Sequence, residues 1–455
     1  MPLILGTNSI KDTGYDVANS VRFNDNDSAY MHKTPGSAGD QQKFTFSFWI
    51  KRSNIETGTT MTLFDTQADG DNQFKIRLND NSTLTVESKV SDHNDSLITN
   101  QLFRDVSAWY SIIIAVDTTQ GTASNRVKLY VNGTRVTSFA TENYPAENLN
   151  TLVNAANKLY VGTSVGTDSF YDGYLAEFCL VDGSQLAETS FGEFDSDSPT
   201  IWKPIDVSGL TFGNNGCYLD FKDSGNLGND ANGGTDLTEV NLAATDQSTD
   251  TCTNNFCTLN PLDHNNVTFS EGNLKGSCGS SGTCRSTMAV NKGKWYWEFK
   301  YIDPEGFHGI RATHLGVTVN TFSVKIFGLN DPIEAHINGS QNDLTGRDNM
   351  SDNDILNFAL DMDNNRFAIG QNGAYDNGSA FSGTTLNYHS ITGGHYYSPM
   401  IATGSGTGRV CEVNFGSPSF AITSGNADAN GYGNFEFAVP SGFFSLCSKN
   451  LAEYG

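Results

Sequence analysis

An all-β fold, built as two β-sandwiches joined by an irregular connector, is what this 455-residue chain predicts. Three observations lead there. Apolar and polar residues alternate over long stretches, the period-2 pattern of half-buried strands. Residues 351–373, SDNDILNFALDMDNNRFAIGQNG, keep that alternation on both sides of Asp363-Asn364-Asn365, which makes a β-hairpin with an Asx-rich turn. The composition is poor in aliphatics but holds 29 Phe, 17 Tyr and 46 Gly, which suits pleated surfaces and many turns. At roughly 150 residues per domain the length allows two or three domains, and the larger size of all-β sandwiches favours two plus a connector.

The elements follow in order. Ser20-Val21-Arg22-Phe23 leads as a strand into the turn Asn24-Asp25-Asn26-Asp27. Phe44, Phe46, Phe48 and Ile50 then share one face of a half-buried strand. Residues 110–116 form a continuous apolar strand, as burial on both faces requires. Residues 127–131 and 134–139 flank Asn132-Gly133, a pair that tolerates the positive φ of a type I′ hairpin turn. Residues 159–162 and 173–180 supply further strands, and 186–194 a short helix.

Trp202-Lys203-Pro204 reads as a domain exit. After it come one strand, 217–221, and a Gly/Asn/Asp/Thr-rich stretch to Pro261. Such a segment is too long to be idle inside a compact domain. Leu227, Leu237, Val240, Leu242, Phe256 and Leu259 are spaced to pack, so it is a connector or strap rather than a low-complexity linker. Beyond it, Trp295, Trp297, Phe299 and Tyr301 occupy one face of a strand, with Glu298 on the other, toward solvent. Strands at 314–319, 396–403 and 409–415 complete the second half around the 351–373 hairpin. The expected domains are 1–205, a connector 206–270, and 271–455.

The first domain resembles the laminin G-type, concanavalin A-like jelly roll. The matching pieces, in family order, are FTFSFWIKRS at 44–53, WYSIIIAVD at 109–117, VKLYVNGTRV at 127–136 and YDGYLAEFCLVDG at 171–183. The last domain resembles SPRY, through GKWYWEF at 293–299, the LGV strand, the 352–373 hairpin, YYSPMI at 396–401 and VCEVNFG at 410–416. Both resemblances imply jelly-roll-like sandwiches that bind partners or glycans. The bridge GCYLDFKDSGNLGNDANG at 216–233 and the tail PSGF-x-x-L-x-x-x-NL at 440–451 make the whole chain similar to virion proteins of tailed phages, notably marine ones. That resemblance implies a tail-fibre, receptor-binding or capsid-surface role. The cysteine pairs below depart from the pattern.

Charge narrows the function. Lys plus Arg total 27 against 51 Asp plus Glu, a net charge of −24, and no basic run exists. Nucleic-acid binding, which needs a cationic footprint, is excluded; the acidity serves solubility. No stretch approaches the ~20 apolar residues of a membrane span. Leu3-Ile4-Leu5 is too short for a signal-peptide core and has no basic region before it. The expectation is a protein made in the host cytoplasm and located in the virion, without membrane insertion. Of the 8 cysteines, Cys252/Cys257 and Cys278/Cys284 are close enough in sequence to form short disulfide loops or to stay free. None has zinc spacing.

No nucleophile motif is present, so no catalytic residue is expected. Glycosidases need two carboxylates flanking a cleft; Glu298 is the one acid in an aromatic setting. Asn24-Asp25-Asn26-Asp27 and Asp361, Asp363, Asn364 and Asn365 offer oxygens that calcium accepts, and fit turn hydrogen bonds equally well. A rim calcium is implied only by the laminin G resemblance, and no cofactor is otherwise expected. The recognition loop is 388–396, with Tyr388, His389, His395 and Tyr396; Tyr375 is a second candidate. Aromatics and imidazoles stack on sugar rings and bond hydroxyls. The bland alternative is that Tyr396 and Tyr397 simply begin a strand.

The expected function is therefore non-enzymatic. The protein is a tail-fibre adhesin contacting host-surface glycan or receptor and other virion proteins, as a homo-oligomer with a trimer favoured. The alternatives are a capsid-surface decoration protein (head fibre or knob) and a polysaccharide depolymerase.

Overall fold

Lys43–Arg52 shows how the first half is built. In the computed structural model this strand pairs with Tyr110–Asp117 on one side and Gly173–Asp182 on the other. The structure describes residues 14–455 except 56–57, 92, 303–306, 313–322, 328–332, 338–339, 345–349 and 404–408, and between 303 and 349 it describes backbone strands only. The expected strand at 314–319 lies outside the described residues. Strands account for 45% of the chain and helices for 5%, so the fold is all-β, of the jelly-roll, β-sandwich kind. The chain divides into two units, Thr13–Thr253 and Asn254–Gly455.

The first unit has two eight-stranded sheets. Lys43–Arg52 lies in one, which ends with Ser20–Phe23 and Gln247–Ser248. Met61–Asp69, Asn72–Leu78, Thr83–Val90 and His93–Leu102 run antiparallel in the other. Phe44, Phe46, Phe48 and Ile50 are all fully buried in the core between them. Phe46 stands 4.5 Å from Phe64, ring centre to ring centre. The other face of Lys43–Arg52 is buried as well, not solvated. Trp49 belongs to a second cluster with Trp109, Tyr174, Phe191, Trp202 and Phe212, because the chain from 186 to 212 returns over that face.

Asn132 and Gly133 both have left-handed φ, 47° and 72°, as a type I′ turn demands. Only Thr134–Arg135 pairs back across the turn; Phe139–Glu142 leaves for the other sheet and pairs with His93–Leu102. The short helix expected at 186–194 is instead a 3-10 turn, Glu188–Ser190, followed by a strand, Gly192–Phe194, paired with Trp202–Pro204.

Residues 206–270, read from sequence as a connector, are divided between the units. Cys217–Leu219 pairs with Gly173–Asp182, Thr238–Val240 with Tyr30–Lys33, and Gln247–Ser248 with Ser20–Phe23. Leu227 and Leu237 enter the first core. This stretch thus completes both sheets of the first unit. Leu259–Ser270 pairs with Lys275–Ser286 in the second unit. The additions to the first unit are strands of two or three residues, too short to show a period.

In the second unit Lys294–Tyr301 pairs with Ile355–Asp361, which turns at Asn365 (φ 51°) into Arg366–Gln371. Trp297 stacks on Phe358 at 4.8 Å, and Phe358 on Phe367 at 5.4 Å. These are the apolar faces the alternation marks. The tail closes the unit: helix Ser448–Tyr454 buries Leu451, and the Asn450 amide donates to Asp428 Oδ2 at 2.8 Å.

All eight cysteines are free thiols. Of the two alternatives open at Cys252/Cys257 and Cys278/Cys284, the structure has the free thiols. Cys257, Cys278 and Cys284 are buried, where a cysteine serves as a small hydrophobe. The Cys284 thiol donates to the Asn260 carbonyl. Cys252 lies in the first unit and Cys257 in the second.

Candidate functional site

A groove of about 890 Å³ opens on the second unit. One wall comes from residues 372–375 and 382–388, the other from 437–441. A tight turn shapes the first wall. The strands Arg366–Gln371 and Ala374–Asp376 are joined by Asn372 and Gly373, at φ 51° and 83°. Both angles lie in the left-handed region that Asn and Gly tolerate. Glycine is needed at 373 for a second reason: the Phe437 ring occupies the space a Cβ there would take.

Two of the five expected residues, Tyr375 and Tyr388, line this groove. Tyr375 is 9% exposed, and Tyr388 is half-buried. The Arg366 guanidinium lies 3.6 Å from the centre of the Tyr388 ring, and its Nε donates to Asp361 Oδ2 at 2.8 Å. Asp361 is fully buried. A planar cation held by a fixed carboxylate therefore backs one aromatic wall. His389 does not line the groove. Its Nε2 is 3.1 Å from Asp376 Oδ2, and its ring sits 5.3 Å from Phe367. It supports the neighbouring strand. His395 and Tyr396 also lie off the groove; Tyr396 is 38% exposed, and His395 sits edge-on to Tyr397 at 6.4 Å.

Sequence reasoning missed Phe437 and misplaced Glu298. The strand alternation turns Glu298 away from the tryptophans, but that face is not solvated: Glu298 is fully buried. Phe435 and Phe443 of the returning tail cover it, packed with Tyr296, Ala359 and Ala368. Its Oε1 accepts from Tyr296 Oη at 3.0 Å and Phe437 N at 2.9 Å. Its Oε2 accepts from Asn414 Nδ2 and from Glu436 N, both at 3.1 Å. Burial pushes the carboxyl up from 4.5 to about 7, against the pull of these donors. Burial, then the Glu298 charge, raises the Tyr375 phenol. The alternating Phe435 and Phe437 were the signal available for this wall.

The groove presents no carboxylate pair among the described residues. Among the described residues none of those lining the groove is Asp or Glu, and Glu298 lies behind the wall, fully engaged. The calcium candidates are occupied by turn bonds. Asn24 Nδ2 donates to Asp27 Oδ2 at 2.9 Å, and Asp361 accepts from Asn364 and Arg366. Among the described residues no group of three or more His, Cys, Asp and Glu is placed to hold a metal ion.

The first unit has a cleft of about 650 Å³ near Asp40, Gln42, Asn150 and Asp182. Asp182 there accepts from Asp40 N, Asn154 Nδ2 and Asn215 N. No aromatic side chain lines it among the described residues.

Residues 24–188 match the family described as the concanavalin A-like lectin/glucanases superfamily. No curated protein matches. Among solved structures, the SPRY domain of human HERC1 is 15% identical, with 34% of this chain and 96% of that one covered and a TM-score of 0.28. The SAP-like pentraxin of Limulus polyphemus is 15% identical, covering 38% and 80%, at 0.29. Domains LG4-5 of the mouse laminin alpha1 chain are 9% identical, covering 96% and 89%, at 0.30. By the family match a laminin G-like, concanavalin A-like domain lies within the first unit, at residues 24–188, and SPRY domains are among the structural neighbours.

Proposed function

We propose that this protein is a non-enzymatic, carbohydrate-binding adhesin of a phage virion, at the tail fibre or on the capsid surface. One observation carries the binding reading: a groove on a rigid sheet presents Tyr375, Tyr388 and Phe437 beside hydroxyl-bearing side chains and no acid pair. The lectin-like family of residues 24–188 supports the same class. The virion assignment rests on the resemblance of the bridge and tail segments to tailed-phage proteins.

Adhesion here comes from multiplicity. Individually weak sites on many copies raise avidity by roughly 10²–10⁴ without new contacts. A symmetric homo-oligomer, with a trimer as the first expectation, supplies those copies.

The test has two arms. Purified protein is incubated with host surface polysaccharide, and bound material and new reducing ends are both measured. Binding without oligosaccharide release is expected; release of oligosaccharide sinks the non-enzymatic reading in favour of a depolymerase. Immunogold labelling of purified particles locates the chain at tail or capsid, and particles without label remove the virion assignment.

A further inference from the structure

We propose that the groove of the second unit takes an uncharged saccharide, and that Glu298, touching no ligand, is the positioning residue for its Phe437 wall. This rests on the carbohydrate-binding reading above and adds the ligand class and the residue that shapes the site.

The ligand class follows from charge. The chain carries 51 Asp plus Glu and 27 Lys plus Arg, yet among the described residues none of those lining the groove is charged. The nearest cation to Tyr388, Arg366, is already bonded to Asp361. A uronate or sialate entering this groove loses water without gaining a cation, a cost no aromatic stacking offsets. A cationic ligand finds no carboxylate. What fits is a molecule with apolar C–H faces and neutral hydroxyls. Tyr388 and Phe437 supply ring faces, and Thr384, Thr385 and Ser441 supply hydroxyls along the same groove. Its volume of about 890 Å³ sits within the ~300–1,000 Å³ of ligand clefts.

The positioning role follows from hydrogen bonding. Glu298 gathers the backbone N–H groups of Glu436 and Phe437 on separate oxygens, each shared with a side-chain donor. Four donors converge on one carboxylate, and only the anion offers an acceptor to all of them. The groups facing it are Tyr296, Asn357 through the Tyr296 hydroxyl, Asn414 and Tyr375, with no cation among the described ones. The wall is therefore pinned from beneath by an acid and admitted from the side by Gly373. In Glu298→Gln the amide group faces donors on one side, and the 436–437 backbone must shift. Protonation of the native acid removes an acceptor in the same way, so occupancy and pH are linked through the wall.

The experiment uses the full chain on a glycan array holding neutral hexose and N-acetylhexosamine oligosaccharides beside uronate- and sialate-terminated ones. Hits are titrated by calorimetry from pH 5 to pH 9. Neutral glycans are expected to bind, with Phe437→Ala weakening binding about tenfold or more. Glu298→Gln is expected to weaken it less and to flatten the loss of affinity that wild type shows toward low pH. A pure folding defect does not produce that flattening. Binding confined to acidic glycans overturns the ligand class and leaves the adhesin standing. Neutral binding unchanged in both variants overturns the site and the role of Glu298. No binding to any glycan overturns the adhesin reading itself.

Discussion

Lys51 Nζ and Asp250 Oδ2 lie 2.7 Å apart, with each side chain 1% exposed. Asp250 Oδ1 also accepts from the Trp109 indole at 3.1 Å, and Lys51 lies 5.5 Å from the centre of the Tyr174 ring. The pair joins the 206–270 stretch to the outer face of the first sheet. Removing one partner strands a buried charge. Asp250→Ala is expected to destabilise the first unit by about 3–5 kcal/mol, whereas the double change Lys51→Met, Asp250→Leu costs much less. Urea unfolding followed by tryptophan fluorescence measures both. Equal losses for the single and double changes contradict the ion-pair account.

Glu177 carries a second buried acid with the opposite economy. It sits at a bulge in Gly173–Asp182 with a left-handed φ of 51° and is 6% exposed. Its Oε2 accepts from Tyr218 Oη at 2.8 Å, and Tyr218 meets Tyr15 at 3.4 Å. Burial raises the carboxyl from 4.5 to about 7, against the Tyr218 hydrogen bond. A folded pKa above the unfolded one means the folded state holds the proton longer, so stability falls as pH rises from about 4.5 to about 7. Glu177→Gln is expected to match wild type near pH 4 and to exceed it by about 1–3 kcal/mol at pH 8. Thermal unfolding at the two pH values checks it; a variant weaker at pH 8 defeats the prediction.

Arg366 is asked to do two things at once, to stack on Tyr388 and to bond Asp361. Lysine keeps the charge but loses the plane. Arg366→Lys is expected to lower glycan affinity several-fold while changing stability by less than about 1 kcal/mol. Titration beside a thermal melt separates the effects. Unchanged affinity shows that the guanidinium does not order the wall.

The eight thiols predict indifference to reductant. Melting temperature is expected to be the same with and without dithiothreitol, and a thiol count in denaturant should recover all 8 cysteines. A drop in melting temperature on reduction reveals a bridge.

What was legible in the sequence is what repeats locally. Phe44, Phe46 and Phe48 alternate over a single strand, and the 351–373 hairpin carries its turn chemistry at Asn365. Tyr375 and Tyr388 stand out in the sequence as aromatic rings able to stack on sugars. The rest depends on distant returns. The connector docks through rungs such as Ser20↔Ser248 and through an ion pair across 199 residues, and neither leaves a period. Alternation points Glu298 to solvent because it names the face of a strand and not what covers it. The tail segment that closes over it bonds it through Phe437 N, 139 positions later.

The pairing of Ser20–Phe23 with Gln247–Ser248 has a mechanical consequence. The antiparallel chain enters and leaves that ladder at the same end, beside the Val17 N to Thr253 Oγ1 bond. Tension along the chain therefore loads these rungs one after another, as a zipper is loaded, rather than all together in shear. A pull on the chain outside this ladder is expected to peel Gln247–Ser248 before it opens the phenylalanine core between the sheets.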